Sequence, residues 1–413
     1  MSRVYVTGVG VISSLGFGRE SFSRAMTEGK CGFAPIESFD TGPFNRSIGG
    51  EVRGFTARDF LTAAEARRTS RCSAFAVAAS RMAVEDAGLK PEHLGGERTS
   101  VIMGTTMGEG DVMSELERVW IHQGLQAVET AKIPRYGTTL LPIHVARALG
   151  ARGMVQTFPT ACAAGNYSLA FGADQIRAGR ADVVVAGASE IIHRLQFAGF
   201  VRLGAMAPEK CQPFDKNRKG IILGEGAGVL VLESERHAVR RNARPLAEVG
   251  GSGVVCDAHH ITRPHPDGVG NCQAILDAAR ESGIALEDVD FVNAHGTGTH
   301  QNDKIEAQVI RKVFGERPIP VTSLKSQIGH CMGAASAMEA VACVVTIETG
   351  VYSPTLGYET PDPECDVNLV ANRAVEGKAD IVINNSLGFG GHDAIVTFAR
   401  PGRLPDISAA PLQ

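Results

Sequence analysis

The sequence predicts an α/β fold made of two similar halves, each with helices packed on a mixed sheet, and three observations carry the prediction. Short apolar runs bounded by Gly, Asn or Asp alternate with longer Ala-rich segments, the pattern of strands alternating with helices. The order of elements also repeats. A turn with a cysteine, TACAAG from Thr160, opens an Ala-rich helix that the strand DVVVAGASE follows; a turn with a histidine, SQIGHCMGAAS from Ser326, opens another, and the strand DIVINNS comes later. Finally, at roughly 100–200 residues per domain, 413 residues accommodate two fused halves and a large buried core.

Taken in order, the strands are VYVTGVG from Val4, SVIMGTT from Ser100, DVVVAGA from Asp182, GVLVLE from Gly228, DFVNAHG from Asp290 and DIVINNS from Asp380. The helices are YSLAFGADQIRAG from Tyr167, QAILDAARESG from Gln273, DKIEAQVIRKVFG from Asp303 and SAMEAVACVVTIETG from Ser336, each running to a Gly stop. ESERHAVRRNARP from Glu233 is charged and ends in Pro245, so it reads as a helix passing into a linker and divides the chain into residues 1–245 and 246–413. The Pro-rich tail from Pro401 is expected to be loosely held.

Composition removes several function classes. Apolar residues are 44% and charged residues 21%, against a disordered or membrane-spanning chain. Lys plus Arg is 41 against 45 Asp plus Glu, a net charge of −4, so no global footprint for nucleic acid or anionic membrane exists. The apolar N-terminal stretch has little basic flank and no run of ~18 apolar residues occurs, so neither a signal peptide nor a span is expected. Nine cysteines at irregular spacing without a CxxC pair fit a reducing, cytoplasmic setting.

Cys162 lies in FPTACAAGNYS, where an extended stretch ends and a helix begins; the helix macrodipole there lowers a thiol's pKa. Cys31, Cys72, Cys211, Cys256, Cys272, Cys331, Cys343 and Cys365 read as small buried cysteines. His295, in NAHGTGT, stands at a strand end, and His330, in SLKSQIGH, stands before a Gly-rich start of a helix; open α/β folds place ligands at such junctions. A thiolate can take an acyl group from a thioester, and two imidazole N–H donors can stabilise negative charge on a second thioester's oxygen. That combination suits carbon–carbon bond formation, whereas a Cys/His hydrolase needs only one histidine, usually with an orienting Asn or Asp. Cys256, His259, His260 and His265 match no common zinc spacing, and no metal is expected. GVGVIS lacks the third glycine of a dinucleotide loop, and GEGAG from Gly224 lacks the Lys-Ser/Thr of a phosphate loop.

TACAAG, DKNRKGIILGEGAGVLVLE from Asp215, NAHGTGTHQND from Asn293, SLKSQIGHCMGAASAMEA from Ser323 and NSLGFGGHDA from Asn385 stand in one order over about residues 3 to 400. In this the chain resembles the elongating β-ketoacyl-[acyl carrier protein] synthases of the thiolase-like superfamily. The resemblance implies a layered α-β-α-β-α arrangement, with the nucleophilic cysteine in the first half and the catalytic histidines in the second. It implies Cys162 as acyl nucleophile and His295 and His330 as the pair promoting malonyl decarboxylation and enolate stabilisation. Lys325 is implied to act electrostatically, with Glu339 as a structural partner. Thr297 and Thr299 would contact the phosphopantetheine arm. The backbone N–H groups of Cys162 and Phe389 would form the oxyanion hole, with Phe389 as a gate. Asp303 and Glu306 keep the family's acidic positions. After GFGG relatives carry a small or polar residue and then Asn, whereas His392 and Asp393 follow here, which leaves the hydrogen bonding behind the gate open.

The same resemblance implies substrates carried on the phosphopantetheine of acyl carrier protein, no intrinsic cofactor, and a dimer, either of two copies or with a chain-length factor. Arg67, Arg68 and Arg71, in AEARRTSR on an expected helix, form the basic cluster assigned to the carrier protein. GYETPDPECDVN from Gly357 leans toward the polyketide branch. A catalytically weak carrier-binding subunit, a thiolase and a thioester hydrolase are the competing readings; the chain lacks a thiolase's second cysteine in NSLGFGGHDA.

Overall fold

A computed structural model describes residues 2–406. In chain order its main elements are β1 (Val4–Ser13), α1 (Arg71–Asp86), β2 (Thr99–Gly104), α2 (Gly110–Gln123), α3 (Leu140–Leu149), β3 (Val155–Phe158), α4 (Ala164–Arg177), β4 (Val183–Glu190), α5 (Arg194–Arg202) and β5 (Gly226–Ser234). The second half continues with β6 (Ala247–Cys256), α6 (Val269–Ser282), β7 (Phe291–Asn293), α7 (His300–Phe314), β8 (Pro320–Thr322), α8 (Ala335–Thr349), β9 (Ile381–Gly388) and β10 (His392–Ala399).

The duplication is written in the strand pairing. In the first half β2 pairs parallel with β3 and β4, and β4, β5 and β1 then pair antiparallel in that order. In the second β7 pairs parallel with β8 and β9, and β9, β10 and β6 follow antiparallel. The two ladders are the same. They join edge to edge where β1 meets β6 antiparallel, Val4 opposite Val249 and Val6 opposite Ala247, so the half-sheets run as one twelve-stranded sheet.

Three apolar cores separate the layers. One lies between the outer helices α1 and α3 and the first half-sheet, another between α6 and α7 and the second. The third surrounds α4 and α8, which are sandwiched between the half-sheets, giving the α-β-α-β-α order. Gly165 permits the helix approach, since a Cβ there would stand 2.4 Å from the Ala337 nitrogen. The stretch Met332–Thr349 has a mean hydropathy of 1.3 and is 89% buried, so its apolarity serves this core. GVGVIS lies within β1, where Gly10 lets α1 lie flat on the strand: a Cβ would meet the Ala79 oxygen at 1.9 Å.

The first residues of the tail are pinned rather than loose: Leu404 is buried, and Arg3 donates to its carbonyl at 3.3 Å and to the Asp406 carboxylate at 2.7 Å. The rest of the tail, 407–413, lies outside the described residues. All nine cysteines are free, but Cys31 and Cys256 are exposed and Cys272 half-buried, contrary to the uniformly buried reading. Cys256 is exposed because it ends its strand at a loop, with its sulfur 3.7 Å from the Gly390 carbonyl.

Candidate active site

Cys162 is presented by a tight elbow. β3 stops at Phe158, Ala161 takes a φ of +49°, and Ala161–Ala163 makes one 3-10 turn into α4. The Cys162 carbonyl accepts the hydroxyls of Ser336 and Ser386, each at 3.2 Å. Behind it Asn384 donates to Asn166 and to the Ser336 carbonyl, both at 2.8 Å. The expected lowering of the thiol pKa by the helix end meets a stronger opposing effect: burial pushes the thiol up to about 12, against the pull of the Lys325 charge and the Phe389 N–H. The resting sulfur is therefore a thiol that must shed its proton as it attacks.

The loop after β7 carries His295, and two buried carboxylates on α7 hold it. Glu306 accepts the N–H groups of His295 at 2.6 Å and Gly296 at 2.8 Å, and also Asn385 at 2.7 Å. Asp303 accepts Thr297 at 3.0 Å, Gly298 at 3.1 Å and Phe214 at 2.8 Å. His330 follows the short helix Lys325–Ile328 and donates its N–H to the Ile222 carbonyl at 2.7 Å. Its Nδ1 accepts the Met332 N–H at 3.2 Å, so in the neutral ring the proton sits on Nε2. Burial, and then the Lys325 charge, hold both histidines well below the ordinary imidazole range. Two neutral rings result, each offering an N–H.

The three side chains converge. The Cys162 sulfur and ring nitrogens of His295 and His330 lie within 4.8 Å of one another, and the rings meet edge to face with centroids 5.5 Å apart. They close a cavity of about 340 Å³ whose lining includes exposed Leu203, Lys219, Arg263 and His300 and, further in, Thr297 and Thr299. Phe389 lines it too, stacked on Phe200 at 5.9 Å and still 37% exposed. Lys325 is not on the wall. Its ammonium is 2.5 Å from Glu339, both fully buried, so it reaches the three groups through its field.

Not every expected residue joins this constellation. AEARRTSR is not one helix: Ala63–Ala66 is a single turn capped at Arg67, and Arg71 opens α1. Arg71 is committed to Glu225 at 2.6 Å because that buried carboxylate needs a cation, which leaves Arg67 and Arg68 exposed. His259 and His265 lie ring to ring at 5.0 Å. Ser336, Ser386, Asn166 and Asn384 were missed, although the small polar residues inside the glycine-rich motifs were their signal. So was Glu190, whose buried carboxylate accepts N–H groups from Thr106 at 2.5 Å and Gly333 at 3.3 Å and ties the loop after β2 to the turn that follows His330.

Residues 1–238 match the family described as beta-ketoacyl synthase, N-terminal domain, and residues 246–359 match the beta-ketoacyl synthase, C-terminal domain. The chain belongs to the β-ketoacyl synthase family. It is 37% identical to the chloroplastic 3-oxoacyl-[acyl-carrier-protein] synthase I of Hordeum vulgare, over 96% of this chain and 89% of that one. It is also 37% identical to the tetracenomycin polyketide synthase ketoacyl synthase alpha subunit of Streptomyces glaucescens, over 97% of each. Among solved structures, the ishigamide ketosynthase/chain length factor superposes with a TM-score of 0.94 at 41% identity, over 97% of this chain and all of that one. The ketosynthase match spans both copies of the duplicated ladder, and the converging cysteine and histidines come from opposite copies.

Proposed function

We propose that this chain is an elongating ketosynthase that condenses a Cys162-bound acyl chain with malonyl-acyl carrier protein, releasing a β-ketoacyl-acyl carrier protein in type II polyketide or fatty acid elongation. The observation that carries the reading is the meeting of one thiol and two neutral imidazoles at the closed end of a narrow cavity. In the first half-reaction the sulfur attacks the incoming thioester, and the tetrahedral oxygen is received by the N–H groups of Cys162 and Phe389. The carrier thiol leaves with a proton. In the second, the malonyl carboxylate departs as carbon dioxide, and the electron pair of that bond becomes an enolate whose oxygen accepts the His295 and His330 N–H groups. The enolate carbon attacks the acyl-cysteine carbonyl and the sulfur leaves, so atoms and electrons balance without any redox partner. Thr297 and Thr299 guide the pantetheine arm, Lys325 tunes the field with Glu339 as its counter-ion, and Asp303 and Glu306 fix the His295 loop.

Residues 1–245 supply the nucleophile and 246–413 the histidines, the two halves of a cytoplasmic enzyme whose substrates arrive on acyl carrier protein; Arg67 and Arg68 receive that protein. The dimer, with a second copy or a chain-length factor, forms along β3. That strand ends the sheet, and at its start Met154 is 41% and Val155 38% exposed, an apolar edge suited to a partner of the same fold. The decisive assay supplies acyl- and malonyl-carrier protein and follows acylation of Cys162, carbon dioxide release and β-ketoacyl product. Cys162→Ala is expected to abolish acylation and product; product that persists overturns the reading. Mass spectrometry of the chain accumulated on the purified protein separates the fatty acid and polyketide branches.

A further inference from the structure

We infer that Lys219 and Arg263 form a phosphate clamp at the mouth of the Cys162 cavity and take the phosphodiester of the pantetheine arm. The inference deepens the proposed reaction and rests on it, since it requires that arm to enter this cavity. Burial orders the wall from mouth to closed end: Lys219 and Arg263 are exposed, Thr299 is half-buried, Thr297 is 6% exposed, and Cys162, His295 and His330 are at most 4% exposed. A phosphopantetheine arm carries its thioester at one end and its phosphate at the other. With the thioester at Cys162, the phosphate falls among the exposed residues of the wall, where the two cations stand, one from each half of the chain.

Local structure places both cations. Arg218, 1% exposed, turns inward and donates to the Thr299 carbonyl at 3.2 Å and the His300 carbonyl at 3.0 Å, while Gly220 donates its N–H to the Gly298 carbonyl at 2.9 Å. Lys219, between them, is thereby held beside the threonine loop and left exposed. The segment before Arg263 is fastened to the Phe389 loop by the Gly390 N–H, which the Ile261 carbonyl accepts at 2.8 Å. His260 Nδ1 accepts the Thr262 N–H at 3.0 Å, so the neutral ring keeps its proton on Nε2, and the 3.2 Å contact of Nε2 with Arg263 Nη2 sets donor against donor. The guanidinium therefore gains no acceptor there. Cations close by in the chain are matched: Lys210 lies 2.5 Å from Glu359, Arg218 2.5 Å from Asp362, and Lys304 pairs with Glu364. Among the described residues, neither Lys219 nor Arg263 has a carboxylate at ion-pair distance. The acidic groups of the same wall, Asp257 and Asp393, are half-buried and 3% exposed, which leaves the exposed rim cationic. An ammonium and a guanidinium without partners suit a phosphate, whose oxygens accept from both.

The test titrates the wild-type protein by calorimetry with phosphopantetheine and with pantetheine, two ligands that differ only in the phosphate. Phosphopantetheine is expected to bind about tenfold tighter, the margin shrinking as salt is raised. Lys219→Ala/Arg263→Ala is expected to bind the two alike, and Lys219→Arg, which keeps the charge, to retain the preference. In acylation of Cys162 by acyl-phosphopantetheine, the double variant is expected to raise KM about tenfold while kcat holds, a split that a merely structural role does not give. Equal affinity in the wild type, a preference that survives in the double variant, or a defect seen only with whole carrier protein overturns the inference; in the last case the cations meet carboxylates of the carrier rather than the phosphate. Calorimetry needs no turnover. A phosphate preference that the double variant loses, with no acylation of Cys162 by any donor, therefore faults the proposed reaction instead.

Discussion

Neutralising both members of the buried Lys325–Glu339 pair separates what the pair does for stability from what its cation does for the site. Both side chains are wholly buried with Nζ and Oε1 at 2.5 Å, and the second Glu339 oxygen has no partner. Glu339→Gln leaves an ammonium in an apolar core and Lys325→Met leaves a carboxyl there; each is expected to cost about 3–5 kcal/mol of unfolding free energy in urea. That is a large share of a typical ~5–15 kcal/mol total. The double variant Lys325→Met/Glu339→Leu removes both desolvation costs and is expected to regain most of the loss, because the pair's attraction only offsets what burial takes away. Reactivity is expected to behave differently. The Lys325 charge pulls the Cys162 thiol down from a value that burial sets high. Without the cation, alkylation of Cys162 by iodoacetamide at pH 8 is expected to slow about tenfold for each unit the thiol rises. Stability restored with reactivity still lost is the signature of a field effect. A double variant alkylated at the wild-type rate would refute the electrostatic role, and single variants as stable as the wild type would refute the burial argument.

Because both histidines are held neutral well below their ordinary value, condensation is expected to hold steady as pH falls from 7 to 6, with its acid limb lower still; removing the Lys325 charge moves that limb upward, as rate–pH profiles would show. Ser336→Ala and Ser386→Ala each remove one hydroxyl from the Cys162 carbonyl and are expected to cost about 1 kcal/mol in urea unfolding, the pair together costing more than the sum because the carbonyl is then left unpaired. Val155→Lys with Met154→Glu places charge on the exposed apolar edge and is expected to shift sedimentation from dimer to monomer while Cys162 still alkylates.

The duplicated architecture was legible because six strands and four helices announce themselves by apolar runs and Gly stops. The missed strands explain themselves physically. β6 begins in AEVGGSG and β10 in HDA, so glycine and charge interrupt their patterns, while β3 is an edge strand, half exposed and too polar to read as core. Nor could spacing show that Arg71 answers Glu225 at the far end of the same half, since a buried carboxylate chooses its partner in three dimensions. What the letters concealed most is how closely the elbows correspond. Ala161 and Met332 take φ of +49° and +47°, each opening one 3-10 turn that leads into a helix of the central layer. The correspondence sets Gly333 opposite Cys162. There a Cβ would stand 2.6 Å from the Thr105 carbonyl carbon, so the second elbow has no room for a side chain and cannot carry a second nucleophile. It contributes His330, just ahead of its turn, and the Gly333 N–H that Glu190 holds. The division of chemistry between the halves thus matches the space above two equivalent turns: one presents the Cys162 sulfur to the cavity, and the other is packed shut at Gly333.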